Sequence, residues 1–147
     1  MALTETQIRR YARHVLLPEV GGRGQERLLD AAVRADEAGG AAAVALLYLA
    51  AAGVGTLVVT DRAPVGEADR WLYLAADVGR PRLEAARERL AALNPDVRVL
   101  AEGTGRPLGP LAADPGDPAD PADPADPISE LERGAKAAAR LIRELAG

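Results

Sequence analysis

The sequence predicts an α/β fold: a small parallel sheet of two to four strands with about five helices around it. Three observations predict it. Short β-branched runs alternate with longer segments of helical period between residues 30 and 102. The stretch VRADEAGGAAAVALLYLAAAGVGTLVVTD, Val33 to Asp61, reads as strand, glycine pair, Ala/Leu-rich helix and strand. Asp61 ends the second of those strands, 22 positions after Gly39, where a nucleotide-binding βαβ unit carries its ribose-binding acid. A turn-initiating or helix-capping aspartate is the alternative reading of Asp61.

The elements follow in order. Thr4 or Thr6 caps a first helix in LTETQIRRYARHVLLPEV, with Ile8, Tyr11, Val15 and Leu16 at helical spacing. Pro18, Gly21, Gly22 and Gly24 end it, and GQERLLDAAV gives a second, short helix. The first strand, Val33-Arg34-Ala35-Asp36-Glu37, is charged where a central parallel strand is usually apolar on both faces. Unpaired buried charge costs several kcal/mol per ion, so this strand is expected to be displaced, frayed or at an edge. Pro64 and Gly66 mark a loop. Pro81 then opens a helix, Leu83, Ala86, Leu90 and Leu93 give it one apolar face, and Asn94-Pro95 stops it. VRVLA alternates like a short strand.

From residue 103 the composition turns to Pro, Gly and Asp. The Asp-Pro repeats from Asp114 to Pro127 predict an extended polyproline II arm of roughly 40 Å, at about 3.1 Å per residue. It reads as a solvated spacer, or as an acidic ligand for a basic groove. The last helix is ISELERGAKAAARLIRELAG. Ser129 and Glu132 suit a capping box, and Leu131, Ala135, Ala138, Ile142 and Leu145 form an apolar stripe that must dock on its own domain or on a partner. The expected organisation is an α/β unit at 1–102, a linker at 103–127 and a C-terminal helix at 128–147.

Composition sets further bounds. The 147 residues fit one domain, with no Phe, one Trp (Trp71) and three Tyr, so Ala, Leu and Val carry the packing. Small side chains bury little area each, at roughly 25 cal/mol per Å². The net charge of −4 argues against a nucleic-acid surface. The absence of cysteine excludes disulfides, thiolate zinc sites and any thioester or persulfide step on this chain. His14, the single histidine, has no second His or Cys to make a metal site. The longest apolar run, Ala41 to Val54, is about 14 residues and too short to span a bilayer. A cytoplasmic protein is expected.

Three blocks carry a resemblance: RYARHVLLPEVGGRGQERLLDAAV, YLAAAGVGTLVVTD and ADVGRPRLEAARERLAALNPDVRV. In this order they resemble the N-terminal half of the ThiF/MoeB/HesA family, bacterial relatives of ubiquitin-activating enzymes. The match covers about Thr4 to Glu102, and GAKAAARLIRELAG resembles the family's final helix. The resemblance implies a reduced Rossmann-like sheet and a dimer. It also implies adenylation, with ATP and Mg²⁺, of the C-terminal glycine of a ubiquitin-like sulfur carrier. By the same resemblance Gly39, Gly40 and Asp61 belong to a nucleotide site. Arg70 and Arg82 fall near phosphate-contacting positions, and Arg13 matches an arginine that crosses the dimer into the neighbour's site. A solvated surface charge is the alternative for each arginine.

The chain departs from the family's pattern in three ways. Its loop reads Glu37-Ala38-Gly39-Gly40-Ala41-Ala42, where the family has G-x-G-G-x-G. Two unit charges about 4 Å apart interact by about 4 kcal/mol at an effective dielectric of 20, so Asp36 and Glu37 are expected to repel a triphosphate. The first strand is charged, and no counterpart of the family's Mg²⁺-binding acid is found. These departures imply a catalytically defective subunit without catalytic residues, metal or cofactor. It would act in binding or scaffolding, paired with an active adenylyltransferase or a sulfur carrier. The alternative is a residual ATP-binding adenylyltransferase. A purely structural homo-oligomer is a third reading.

Overall fold

In a computed structural model, residues 2–109, 111 and 126–147 are described. The Asp-Pro arm lies almost wholly outside them. Four parallel strands form one sheet: β1 (Ala32–Ala35), β2 (Thr56–Val59), β3 (Arg98–Leu100) and β4 (Arg106–Pro107), in the order β3-β2-β1-β4. Among the described residues six α-helices accompany them: α1 (Glu5–Arg10), α2 (Ala12–Val15), α3 (Gly21–Asp30), α4 (Ala41–Ala52), α5 (Arg82–Leu93) and α6 (Pro127–Ala146). The expected α/β sheet is present. Strand β4 falls inside the stretch read as linker, and α6 packs on α4 and α3 of its own chain.

The charged strand is not at an edge. β1 pairs with β2 on one side and β4 on the other. Its resolution is a period of two. Val33 and Ala35 are buried and share a face with Leu57 and Val59 of β2 and Val99 of β3. That face joins one apolar core with Leu46 and Leu49 of α4, Leu90 of α5 and Leu141 of α6. Arg34 and Asp36 point to the opposite face, where their side chains are 41% and 69% exposed although the neighbouring Val58 is buried. There Arg34 Nε bonds Asp36 at 2.9 Å, the Thr60 hydroxyl donates to Asp36 at 2.7 Å, and Arg34 reaches the Gly103 carbonyl at 3.0 Å. Those contacts hold the Asp36 carboxyl below the usual carboxylate range, the Thr60 hydroxyl first and Arg34 second. Neither of these two side chains is buried, so the desolvation cost is small beside the gain from Thr60 and Arg34.

The N-terminal segment holds to the far end of α4. Thr4 caps α1 in a capping box with Gln7. The expected single helix is split at Tyr11, whose ring is buried while Ile8 and Leu16 stay exposed. Asn94 stops α5 and is itself buried, with its amide donating to the Ala50 carbonyl (2.8 Å) and the Tyr11 hydroxyl (2.9 Å). Burial pushes the Tyr11 hydroxyl up to about 12.

Helix α6 differs from its expected cap and stripe. Asp126, not Ser129, is the N-cap, with its carboxylate accepting from the Ser129 amide and Pro127 in the first turn. The buried residues are Ser129, Glu130, Arg133, Gly134, Ala137, Ala138, Leu141 and Ala146, with Ile142 and Leu145 partly buried against the core, while Leu131 is exposed. Small residues choose this face. A Cβ at Gly134 would stand 2.5 Å from both the Ala41 carbonyl oxygen and Val44 Cβ, so only glycine permits this approach of α6 to α4. In α5 likewise, Leu83, Ala86 and Leu90 are buried, but Leu93 is exposed.

Candidate functional site

The loop between β1 and α4 and the ends of β2 and α6 meet at one place. Gly40 is the N-cap of α4, at φ 55° and ψ −129°, a backbone that favours glycine. No side chain caps α4, so its first-turn amides are of the kind that bind anions. Over the loop lies Arg82, the first residue of α5. A Cβ at Gly39 would sit 2.8 Å from the Arg82 guanidinium carbon and 2.8 Å from Asp69 Oδ1.

Arg82 is shared by two carboxylates. It donates to Asp61 at 3.1 Å and to Asp69 at 3.0 Å. Asp61 also accepts from the Ala38 amide (2.9 Å) and the Ala63 amide (3.0 Å). Tyr73 braces the loop, its hydroxyl donating to the Ala38 carbonyl at 2.5 Å. Burial drives that hydroxyl well above the usual tyrosine range. On the other side Glu130 of α6 accepts from the Trp71 indole at 2.7 Å and places Oε1 3.4 Å from where a Gly40 Cβ would be.

Of the residues the sequence singled out, Gly39, Gly40, Asp61 and Arg82 come together. Arg70 does not join them: it is exposed, and its Nε donates to the Ala68 carbonyl of its own turn. Arg13 is exposed at the other end of α4, lining with Arg9, Arg10, His14 and Ala51 a recess of about 260 Å³. At 1.5 Å per residue, Ala51 stands about 16 Å along the helix from Gly40, beyond an arginine's reach within one chain. Asp36 is paired with Arg34 and accepts from the Thr60 hydroxyl, so part of its charge is compensated locally, while Glu37 is exposed.

Residues 11–104 match the ThiF family. The chain belongs to this family. Among its relatives, the probable adenylyltransferase/sulfurtransferase MoeZ of Mycobacterium tuberculosis is 44% identical over 101 residues, covering 67% of this chain and 26% of MoeZ. The sulfur carrier protein adenylyltransferase of Thermus thermophilus is 47% identical over 104 residues, 69% of this chain and 38% of that protein. The ThiS adenylyltransferase of Escherichia coli is 37% identical over 102 residues, 67% and 41% respectively. The chain thus spans less than half the length of these relatives. Among solved structures PaaA superposes with TM-score 0.61 at 31% identity, over 68% of this chain and 37% of PaaA. The threonylcarbamoyladenosine dehydratase TcdA of E. coli, at 24% identity, gives TM-score 0.61 over 67% of this chain and 42% of TcdA, and shares the fold.

Within the ThiF fold the residues present fit a phosphate-bearing nucleotide. The uncapped α4 terminus and the Arg82 guanidinium both favour an anion, and Asp61 keeps acceptor capacity beyond its three present donors. They do not fit a magnesium ion, since Asp61 and Asp69 are both engaged by Arg82. Asp69, Trp71, Tyr73 and Glu130 were missed by sequence reasoning. Asp69 adjoins Arg70 but carries no spacing signal, and Glu130 sits 59 positions from Trp71. No helix among the described residues is long and apolar enough to cross a membrane.

Proposed function

We propose that this chain is the nucleotide-binding part of a ThiF-type adenylyltransferase, working on the C-terminus of a ubiquitin-like sulfur carrier. The observation that carries the proposal is Arg82, set against Gly39 above the uncapped N-terminus of α4 and bonded to Asp61. Gly39 and Gly40 let the phosphates approach bare backbone, Arg82 pairs with phosphate charge, and Asp61 accepts from ribose hydroxyls. The names of the relatives support the same reaction class. Adenylation itself is proposed for an assembly, a homodimer or a pairing with a ThiF-type paralogue, in which Arg13 enters the neighbour's site.

Calorimetry with ATP, AMP and NAD tests this. ATP is expected to bind and NAD not, and Arg82→Ala is expected to weaken ATP at least tenfold, given that charge-assisted bonds contribute about 1.5–3 kcal/mol. A chain that ignores ATP sinks the proposal. A second reading, a catalytically defective binding or scaffolding subunit, is favoured by one observation: Arg82 and Glu130 already fill the loop's two sides. On that reading, mixing with an active paralogue raises the paralogue's adenylation rate, and Arg13→Ala abolishes the gain.

A further inference from the structure

A carboxylate of the chain stands over the diglycine loop. Glu130 is 9% exposed and lies in the first turn of α6. Its Oε1 faces Gly40, the N-cap of α4, and its Oε2 is fixed by the Trp71 indole at 2.7 Å. One negative charge therefore serves two helix N-termini, its own and that of α4, and each favours an anion. The placement is set by packing, because Gly134, one turn further along α6, lies close against Ala41 and Val44. Beside Glu130, the hydroxyl of Ser129 is buried without a hydrogen-bond partner among the described residues.

We propose that Glu130 is a built-in competitor for the phosphate position: α6 closes the diglycine loop with a carboxylate, and nucleotide enters by displacing it. The inference rests on that loop being the nucleotide site. It gives α6 a regulatory role, since whatever draws α6 away also opens the site.

The test is calorimetry on the full chain with two probes, ATP and inorganic triphosphate, for wild type, Glu130→Gln and Trp71→Phe. Glu130→Gln keeps the size and an acceptor for Trp71 but removes the charge. Its Kd for both probes is expected to fall at least about tenfold, equivalent to about 1.4 kcal/mol. Trp71→Phe frees the carboxylate without neutralising it, and a smaller gain, about twofold or more, is expected. Trp71 is the chain's one tryptophan, so its emission reports the displacement directly. ATP is expected to shift it in wild type and much less in Glu130→Gln. Thermal unfolding establishes that each variant is folded, and Trp71→Phe carries the test where Glu130→Gln is not. Equal affinities across the folded variants, with ATP bound by all, overturn the competitor and leave the nucleotide site standing. No binding by any of them overturns both.

Discussion

Replacing Gly134 with alanine sets helix propensity against packing. Alanine is the better helix former by about 1 kcal/mol, so on propensity alone the change stabilises α6. The contact with α4 opposes it. A Cβ at this position would stand 2.5 Å from the Ala41 carbonyl oxygen and 2.5 Å from Val44 Cβ, against ordinary separations of about 3.5–4.0 Å. Both obstacles are backbone or Cβ, so no rotamer change removes them. Helix α6 must retreat by about 1 Å, and a gap of that size forfeits roughly a quarter to a half of each dispersion contact. Ala137, Ala138 and Leu141, all buried on that side of α6, carry the loss. Overpacking costs about 1–3 kcal/mol, and after the propensity gain a net loss of about 1 kcal/mol is expected. In urea the unfolding midpoint should fall by roughly 0.5 M with the slope unchanged. Ala139→Gly, exposed on the same helix, isolates propensity and should cost about 0.5–1 kcal/mol. A Gly134→Ala chain as stable as wild type would refute the close approach of α6, and the placement of Glu130 with it.

Three further outcomes follow from the same geometry. Arg34→Ala and Asp36→Ala should each change stability by less than about 0.5 kcal/mol, because both side chains of the pair are exposed; a loss above about 2 kcal/mol in denaturant would mean the pair is shielded from solvent. Asn94→Ala strips a buried donor from the Ala50 carbonyl and the Tyr11 hydroxyl and should cost about 2–3 kcal/mol, read as a Tm lower by roughly 5–10 °C; a shift under 2 °C would count against the bridge. Asp77 is buried and accepts from Arg89, the Leu74 amide and Arg80, which hold its carboxyl far below the usual carboxylate range. A depressed carboxyl stabilises the fold fully above its unfolded value near 3.9 and loses that contribution as pH falls toward the folded value. Stability measured from about pH 5 downward should therefore drop less steeply in Asp77→Asn than in wild type, and parallel curves would remove Asp77 from the acid response.

Legibility differed from element to element. Helix α4 and strand β2 were readable because uniform apolar runs bounded by Gly40 and Gly53 leave little choice. Strand β1 was misjudged because parallel strands are usually covered on both faces. The sequence does hold the answer, since Val33 and Ala35 alternate with Arg34 and Asp36, which is the pattern of a strand buried on one side. The stripe of α6 holds at Ala138, Ile142 and Leu145, which reach the core, and fails at Leu131, which is large and apolar yet exposed. The docking face is set by what α4 can accept, and that favours Gly134, Ala137 and Ala138. Arg82 and Asp61 were legible through their positions in the family's pattern. Asp69 and Glu130 were not, because nothing local marks a residue whose partner is brought to it by the fold.

The small-residue composition and the carboxylate at the loop have a common cause. A core without Phe gains its contacts by bringing backbones close, and α4 and α6 approach through alanine and glycine. That approach sets the first turn of α6 beside the first turn of α4. Two positive helix ends then face the same point, and each gains about 0.3–1 kcal/mol from a nearby anion. The position is thus committed to negative charge by the packing itself. Glu130 supplies it in this chain. A phosphate group would meet the same field, with Arg82 added on its far side. The acid and the ligand are alternatives for one electrostatic vacancy, so removing the charge of Glu130 should leave the fold in place and make the loop hungrier for an anion.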